Sequence, residues 1–397
     1  MRLFRLLCPV IGLLFAIQFN AHAQGYVIEK TTDKKVTPIA VDSSDSSTEA
    51  LAKIAFNSHG AFRLVKPSSA SAVIKLTPVG GNQCNVKVVS GNPAQVLFQD
   101  TATGDSANNA TLRACDMAVK ALTNAPGYFA GTIAFVADRT GGKEIWMGDV
   151  FFRTAKPVTS DKANAQRPYL TPDGRTLFYR SYMHRFSDVY KQDVASGRRT
   201  VFAKYKGTNA GGAVSPDGQN VALILSSPGN SELFIQDINQ SRKPRRLTTN
   251  RYVEADPTWS PDGRRLIVTS DMAGGPQLYE IPSQGGVPSR LPTNISGYCA
   301  EANWNPVDAS KIAFTANMGG GYEIALYEFG QGAAKALTSV SGNAMEPVWL
   351  NDGRHLIYTE EARGGATKLV ILDSETGKRT VITPSNFGNA SQAAFVY

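Results

Sequence analysis

One pattern recurs six times between residues 131 and 397, and it decides what this chain can fold into. An apolar residue stands before S-P-D-G or a relic of it. It is Leu170 before TPDG, Val214 before SPDG, Trp259 before SPDG, Trp304 before NPVD, Trp349 before LNDG, and Phe395 close to the last residue. The steps between these positions are 44, 45, 45, 45 and 46. A fixed period of this size marks one supersecondary unit that cannot bury its own apolar face and must stack on its neighbours. Such a scaffold is built to hold something, so function is to be sought in its loops and faces.

Each repeat carries four short strand signals separated by turn residues. The first ends at the apolar marker. The second is read at 132–136, 176–179, 221–225, 265–269, 311–315 and 355–359. The third contains Ile145, Val189, Leu233, Leu278, Ile324 and Leu369. The fourth contains Val158, Val201, Leu247, Leu291, Leu337 and Val381. Six repeats of four strands predict a mainly β chain with a six-bladed β-propeller over 127–397. The repeats open at Gly131 with a second-type strand and stop after an extra first-type strand. The C-terminus is therefore expected to complete blade one, which leaves no unpaired edge.

Residues 1–23 read as a secretory signal peptide. Arg2 and Arg5 precede an apolar run, and Ala21-His22-Ala23 is a small-x-small cleavage site before Gln24. No later run is long enough for a membrane span. A soluble, monomeric, periplasmic protein is expected. Loss of Arg2 and Arg5 lowers the formal charge from +8 to +6. The densest basic run, Arg242, Lys243, Arg245 and Arg246, reads as a charged outer strand edge. Export argues against nucleic acid as its partner.

Residues 24–126 show no repeat and predict a small α/β domain behind an extended N-terminal segment. Strands are read at 26–29 and 36–41. Ser46 and Glu49 have capping-box spacing, with Ala50, Leu51, Ile54 and Ala55 on one helical face and Gly60 as a left-handed stop. A second helix carries Leu112, Cys115, Val119 and Leu122 on one side. Three cysteines follow the signal peptide. Cys84 and Cys115 are a possible disulfide, and Cys299 is expected to be a free, buried thiol.

Three positions before each marker stand Arg167, Gly211, Asp256, Glu301, Glu346 and Gln392. Equivalent positions of a propeller converge on its axis, so these six should surround one mouth of the channel. The three acids would form a negative ring for a partner's basic or amide groups. They could also hold Ca²⁺, or simply accept local backbone hydrogen bonds. The repeated Asp173, Asp217, Asp262 and Asp352 sit in D-G turns, where Asp bonds its own backbone. Trp259, Trp304 and Trp349 read as packing between blades, because Leu170 and Val214 replace them in register. His59, His184 and His355 lack metal-ligand spacing. No catalytic residue, metal or cofactor is expected.

A signal peptide, a small α/β domain and six S-P-D-G blades together resemble the TolB family of the Tol-Pal system. The resemblance is carried by SPDG at 215–218 and 260–263, ADPTWSPDG at 255–263, GYFAGTIAFVADRTGG at 127–142, and YVIEKTTDKKVTPIAV at 26–41. It implies a non-enzymatic scaffold that links the peptidoglycan-associated lipoprotein Pal to TolA in envelope integrity and cell division. Pal would meet the propeller mouth, including Thr208, Asn209, Gly211, Glu254 and Asp256. TolA would meet the N-terminal segment, where Tyr26, Val27, Ile28 and Glu29 could add a strand to it. The alternatives are an exported propeller enzyme acting on saccharide or peptide, with Arg167 as its one basic group in the ring, and a propeller that senses a small ligand.

Overall fold

The computed structural model describes residues 36–397. The signal peptide and residues Tyr26 to Glu29 lie outside them. Six four-stranded sheets are present, each antiparallel throughout. Their innermost strands are Gln166–Leu170, Asn209–Val214, Glu254–Trp259, Cys299–Trp304, Asn343–Trp349 and Ala390–Val396, belonging to blades 2 to 6 and blade 1 in that order. Blade 1 joins Ala390–Val396 to Thr132–Ala137, with Phe395 opposite Ile133. The two ends of the propeller sequence therefore close the ring as the repeat count requires.

The turn logic of the repeats also holds. Asp173, Asp217 and Asp262 each accept the backbone N–H two residues on at 3.0 Å, and the glycine that follows each adopts φ near +70°. Trp259, Trp304 and Trp349 are buried, and the Trp259 indole donates to the Ala213 carbonyl of the preceding blade at 2.9 Å. Blades bury the alternate residues of their strands against each other, as at Ile267, Phe314 and Trp304 between blades 4 and 5.

The N-terminal sheet has five strands in the order Phe62–Leu64, Thr37–Ser43, Ala72–Gly80, Gln83–Ser90, Gln95–Thr103. The first three are parallel and the rest antiparallel. Two helices, α1 (Ser46–Ser58) and α2 (Ala107–Thr123), pack against it. Four local expectations need correction. The α1 cap is Asp45, whose carboxylate accepts the Thr48 N–H at 2.7 Å, so Ser46 is already helical. The buried face is Leu51, Ala52, Ala55 and Phe56, which leaves Ile54 exposed. Gly60 has no left-handed backbone. It is glycine because a Cβ there would meet the Asp373 carboxylate at 2.0 Å. Cys84 and Cys115 are separate, buried thiols and not a disulfide. Burial pushes both thiols up, so they stay protonated and unreactive. Cys299 is a buried free thiol as expected.

The Gly60 contact belongs to a junction that fuses the small domain to blade 6. His59 lies edge-on to His355, with ring centroids 4.3 Å apart. Asp352 grips His355 Nδ1 at 2.5 Å, and Asp373 Oδ2 lies 3.3 Å from Nε2. Arg354 donates twice to the same Asp373 oxygen. Burial opposes charge on His355, yet the two aspartates overcome it and hold the group up to about 9. Burial and the neighbouring His355 push His59 down to about 2, so it is neutral. Asp116 of α2 supplies a second tie. It accepts the Phe129 and Ala130 N–H groups at 2.9 Å each, and the Tyr397 hydroxyl at 3.0 Å. One apolar core runs from Phe56 and Phe62 through Tyr128 and Phe129 to Leu350 and Ile371.

Two outcomes are expected. Removing residues 391–397 deletes the inner strand of blade 1 and should abolish the cooperative thermal transition. A truncated chain that melts like the full one would disprove the closure. His355 contributes stability that is complete below its unfolded value of 6.5 and is lost as pH rises through about 9. The advantage of the native chain over His355→Gln should therefore shrink by about 3 kcal/mol between pH 6 and pH 10 in denaturant titrations.

Candidate functional site

The six residues read as mouth-forming occupy one structural position. Each lies at a register shift in its inner strand, which is a β-bulge. Each has a left-handed backbone, with φ of 52° at Arg167, 87° at Gly211, 47° at Asp256, 56° at Glu301, 58° at Glu346 and 53° at Gln392. Only Gly211 takes this conformation freely. The other five each carry a cost of roughly 1–2 kcal/mol. The bulge turns the side chain out of the pleat and aims it into the channel.

There the side chains meet. The Arg167 guanidinium lies 2.5 Å from Glu301, 3.4 Å from Glu346 and 4.0 Å from Asp256. The Gln392 side chain accepts the Arg167 backbone N–H at 2.9 Å and donates to Glu346 at 3.1 Å. Threonines on the second strands complete the ring. Thr315 donates to Glu301 and Thr359 to Glu346, each at 2.8 Å. The same two hydroxyls accept the backbone N–H groups of Glu346 and Gln392 on the next blade. Burial pushes the Asp256 and Glu346 carboxyls up, while Arg167 pulls them back. Burial also opposes charge on Arg167, but Asp256, Glu346 and Glu301 hold it well above its ordinary value. The expected negative ring is therefore a ring of three acids around one guanidinium. That guanidinium fills the place where a Ca²⁺ ion would bind Asp256, Glu301 and Glu346.

The ring residues line a cavity of about 440 Å³. Its walls include Trp259, Trp304 and Trp349 and the prolines of the S-P-D-G turns, Pro216 and Pro261. The other mouth residues divide. Thr208 is exposed. Asn209 is buried and closes its own loop, donating to the Tyr205 carbonyl at 3.0 Å and accepting its N–H at 2.8 Å. Glu254 is buried beside Glu232, accepting from Asn250 at 2.8 Å. Burial and the Glu232 charge raise its carboxyl to about 7. Neither Asn209 nor Glu254 presents its side chain to a partner. Sequence spacing also missed the junction cluster, where ligand atoms of His59, Asp352 and His355 lie within 4.8 Å of one another. These are the residues that could hold a metal among those described, but both His355 nitrogens already face aspartates.

The TolB beta propeller domain model matches residues 119–394, about two thirds of the chain. The chain belongs to the TolB β-propeller family. It is 30% identical over 178 residues to the Tol-Pal system protein TolB of Bordetella pertussis, and 29% identical over 178 residues to that of Bordetella parapertussis. Each alignment covers 43% of this chain and 39% of the relative, so the match spans about two fifths of those relatives. The solved structure of TolB from Acinetobacter baumannii superposes with a TM-score of 0.80 over 91% of this chain and 97% of that one, at 23% identity. A chain of a nidogen/laminin complex also superposes, at a TM-score of 0.55 and 12% identity over 67% of this chain and 98% of that one. The propeller alone thus says little of function. The TolB family likeness extends over the α/β domain as a shared fold. Within the described residues no helix is long and apolar enough to cross a membrane.

Replacing Arg167 with Met would leave three acids converging without their cation. It should cost about 3–5 kcal/mol of stability at neutral pH, and part of that should return as pH falls and the burial-raised Asp256 and Glu346 protonate. Equal stability of Arg167→Met and the native chain in urea titrations would show that the ring does not depend on this ion cluster.

Proposed function

We propose that the protein is a periplasmic, non-enzymatic scaffold of the Tol-Pal type. Its propeller mouth receives a Pal-like lipoprotein domain, and its N-terminal segment, residues 24–33, recruits a TolA-like partner. The observation that carries this reading is membership of the TolB propeller family, together with relatives named as Tol-Pal system proteins. The mouth supports it physically. Six inward-turned residues surround a single opening, and Thr208 and Gly211 stand at its rim without a bulky side chain to block approach. A partner group entering there would meet Glu301, Glu346 and the Gln392 amide, which favour amide and basic groups. The rival reading, an enzyme on saccharide or peptide, has Arg167 as its one basic candidate in the ring. Arg167 is held by three carboxylates.

Binding of the purified lipoprotein domain and of the TolA-like domain, each measured by calorimetry, tests the assignment. Deleting residues 24–33 should abolish TolA-like binding and leave lipoprotein binding within about threefold. Placing a bulky Trp at Thr208 should weaken the lipoprotein by about tenfold or more. Loss of both partners on the deletion, or unchanged lipoprotein affinity in Thr208→Trp, would overturn the two-site reading.

A further inference from the structure

Blade 2 departs from its neighbours at the end of its outer strand. Blades 1, 3, 5 and 6 place a threonine there, namely Thr159, Thr248, Thr338 and Thr383, each accepting a third-strand N–H, whereas blade 4 has Pro292. In blades 1 and 5 that hydroxyl donates to the acid heading the third strand, Thr159 to Glu144 at 2.5 Å and Thr338 to Glu323 at 2.6 Å. Blade 2 has Ala203-Lys204 instead, and its acid is the shorter Asp188. Asp188 Oδ2 is buried without a hydrogen-bond donor. Two basic side chains gather over it, His184 Nε2 at 3.9 Å and Lys204 Nζ at 3.8 Å, each about half exposed.

Asp188 thereby draws together two loops of the mouth face, residues 182–187 and 204–208. They are fastened by Ser187, whose hydroxyl donates to the Asn209 carbonyl at 2.9 Å and whose carbonyl accepts the Asn209 N–H at 3.1 Å. The loops carry Arg185, Lys204 and Lys206 in exposed positions and contain no acid of their own. They also expose Tyr182 by 39%, Phe186 by 49% and Tyr205 by 41%. Among the described residues the only other aromatic so exposed is Tyr397. Exposed aromatics grouped with arginine and lysine are the composition of a binding surface, because rings supply contact area at small entropic cost and cations supply steering. Scattered solvent-facing residues would not concentrate three of four exposed rings on one blade.

We propose that these two loops form a docking surface for an acidic, extended segment of a protein partner, whose carboxylates meet Arg185, Lys204 and Lys206 and whose apolar side chains lie against Tyr182, Phe186 and Tyr205. The charge decides the occupant. The patch is basic and the nearby channel centre is acidic, so the partner bears acids where it covers blade 2 and amide or basic groups where it enters the mouth. The inference rests on the mouth face being the partner's side of the molecule.

The test uses the mature chain and a fluorescent peptide alternating glutamate and leucine, with a glutamine-leucine peptide as control. The native protein should bind the acidic peptide, more weakly as salt rises from about 50 to about 300 mM, and should bind the control at least about tenfold more weakly. Reversing Arg185 and Lys206 to glutamate, with Lys204 kept over Asp188, should cut acidic-peptide binding at least about tenfold, and Phe186→Ala with Tyr205→Ala should weaken both peptides. Both variants should retain the native melting curve. Equal binding of the two peptides, or no effect of reversal, overturns the proposal. So does binding to phosphatidylglycerol vesicles in preference to the peptide, which would make the patch a lipid surface. The lipoprotein domain separates this proposal from the mouth assignment. Loss of its binding in Thr208→Trp but not on charge reversal removes the patch and leaves the mouth. Peptide binding that depends on the loops, without any lipoprotein binding, removes the mouth assignment and supports the patch.

Discussion

Everything in this molecule leans on the pairing of residues 390–396 with 132–137. A propeller blade buries both faces only if it has a neighbour on each side, so an unclosed ring would leave two apolar sheet faces in water. The pairing joins residues separated by more than 250 positions. The structure secures it beyond the strand itself. Tyr397 reaches Asp116 of α2, and Asp116 also holds the backbone at Phe129 and Ala130, where blade 1 begins. One buried carboxyl therefore ties the C-terminus, the small domain and the first blade. Gly127 permits this, because a Cβ there would meet the same carboxylate at 2.0 Å.

The mouth is a consequence of the closed ring and of one repeated irregularity. Six bulges turn toward the axis, and the five that carry a side chain, all but Gly211, also carry conformational strain. Strain at a single position would suggest a local catalytic device. The same left-handed position in every blade, strained in five and relaxed by glycine in the sixth, indicates that the scaffold itself demands the bulge, and that each blade's residue is a choice made on a fixed pedestal. Arg167, three acids, Gly211 and Gln392 make that choice asymmetric. Burial raises the Asp256 and Glu346 carboxyls and opposes charge on Arg167, and the surrounding acids hold the arginine well above its ordinary value. The side chains of Thr315 and Thr359 then lock neighbouring blades in register through the same ring.

The periodicity of the sequence was legible because repeats leave the same local signals six times over. The α/β domain gave fewer such signals. Its helices were found, but the cap of α1 fell one residue earlier, at Asp45, and the buried face rotated from Ile54 to Ala52 and Phe56. The face of a short helix depends on what covers it, here the parallel strands and Phe129. Gly60 was read as a helix stop, whereas its need for a bare Cα comes from Asp373, more than 300 residues away. Cys84 and Cys115 share a region without bonding. His59 and His355 have no meaningful spacing in sequence yet touch at the junction.

From the sequence alone come the number of blades, the order of their strands, the way the ring shuts and the six residues that line its mouth. Each of these follows from a period and from the alternation of apolar and polar residues, which are local quantities. The tertiary structure alone decided that Arg167 sits among the acids, that Asn209 and Glu254 turn inward, and that the small domain is sealed to blade 6 through a charged histidine. Those outcomes depend on distances across the ring and on the loss of water from the junction. No linear pattern encodes either one, because charge in a protein is set by what burial brings beside it.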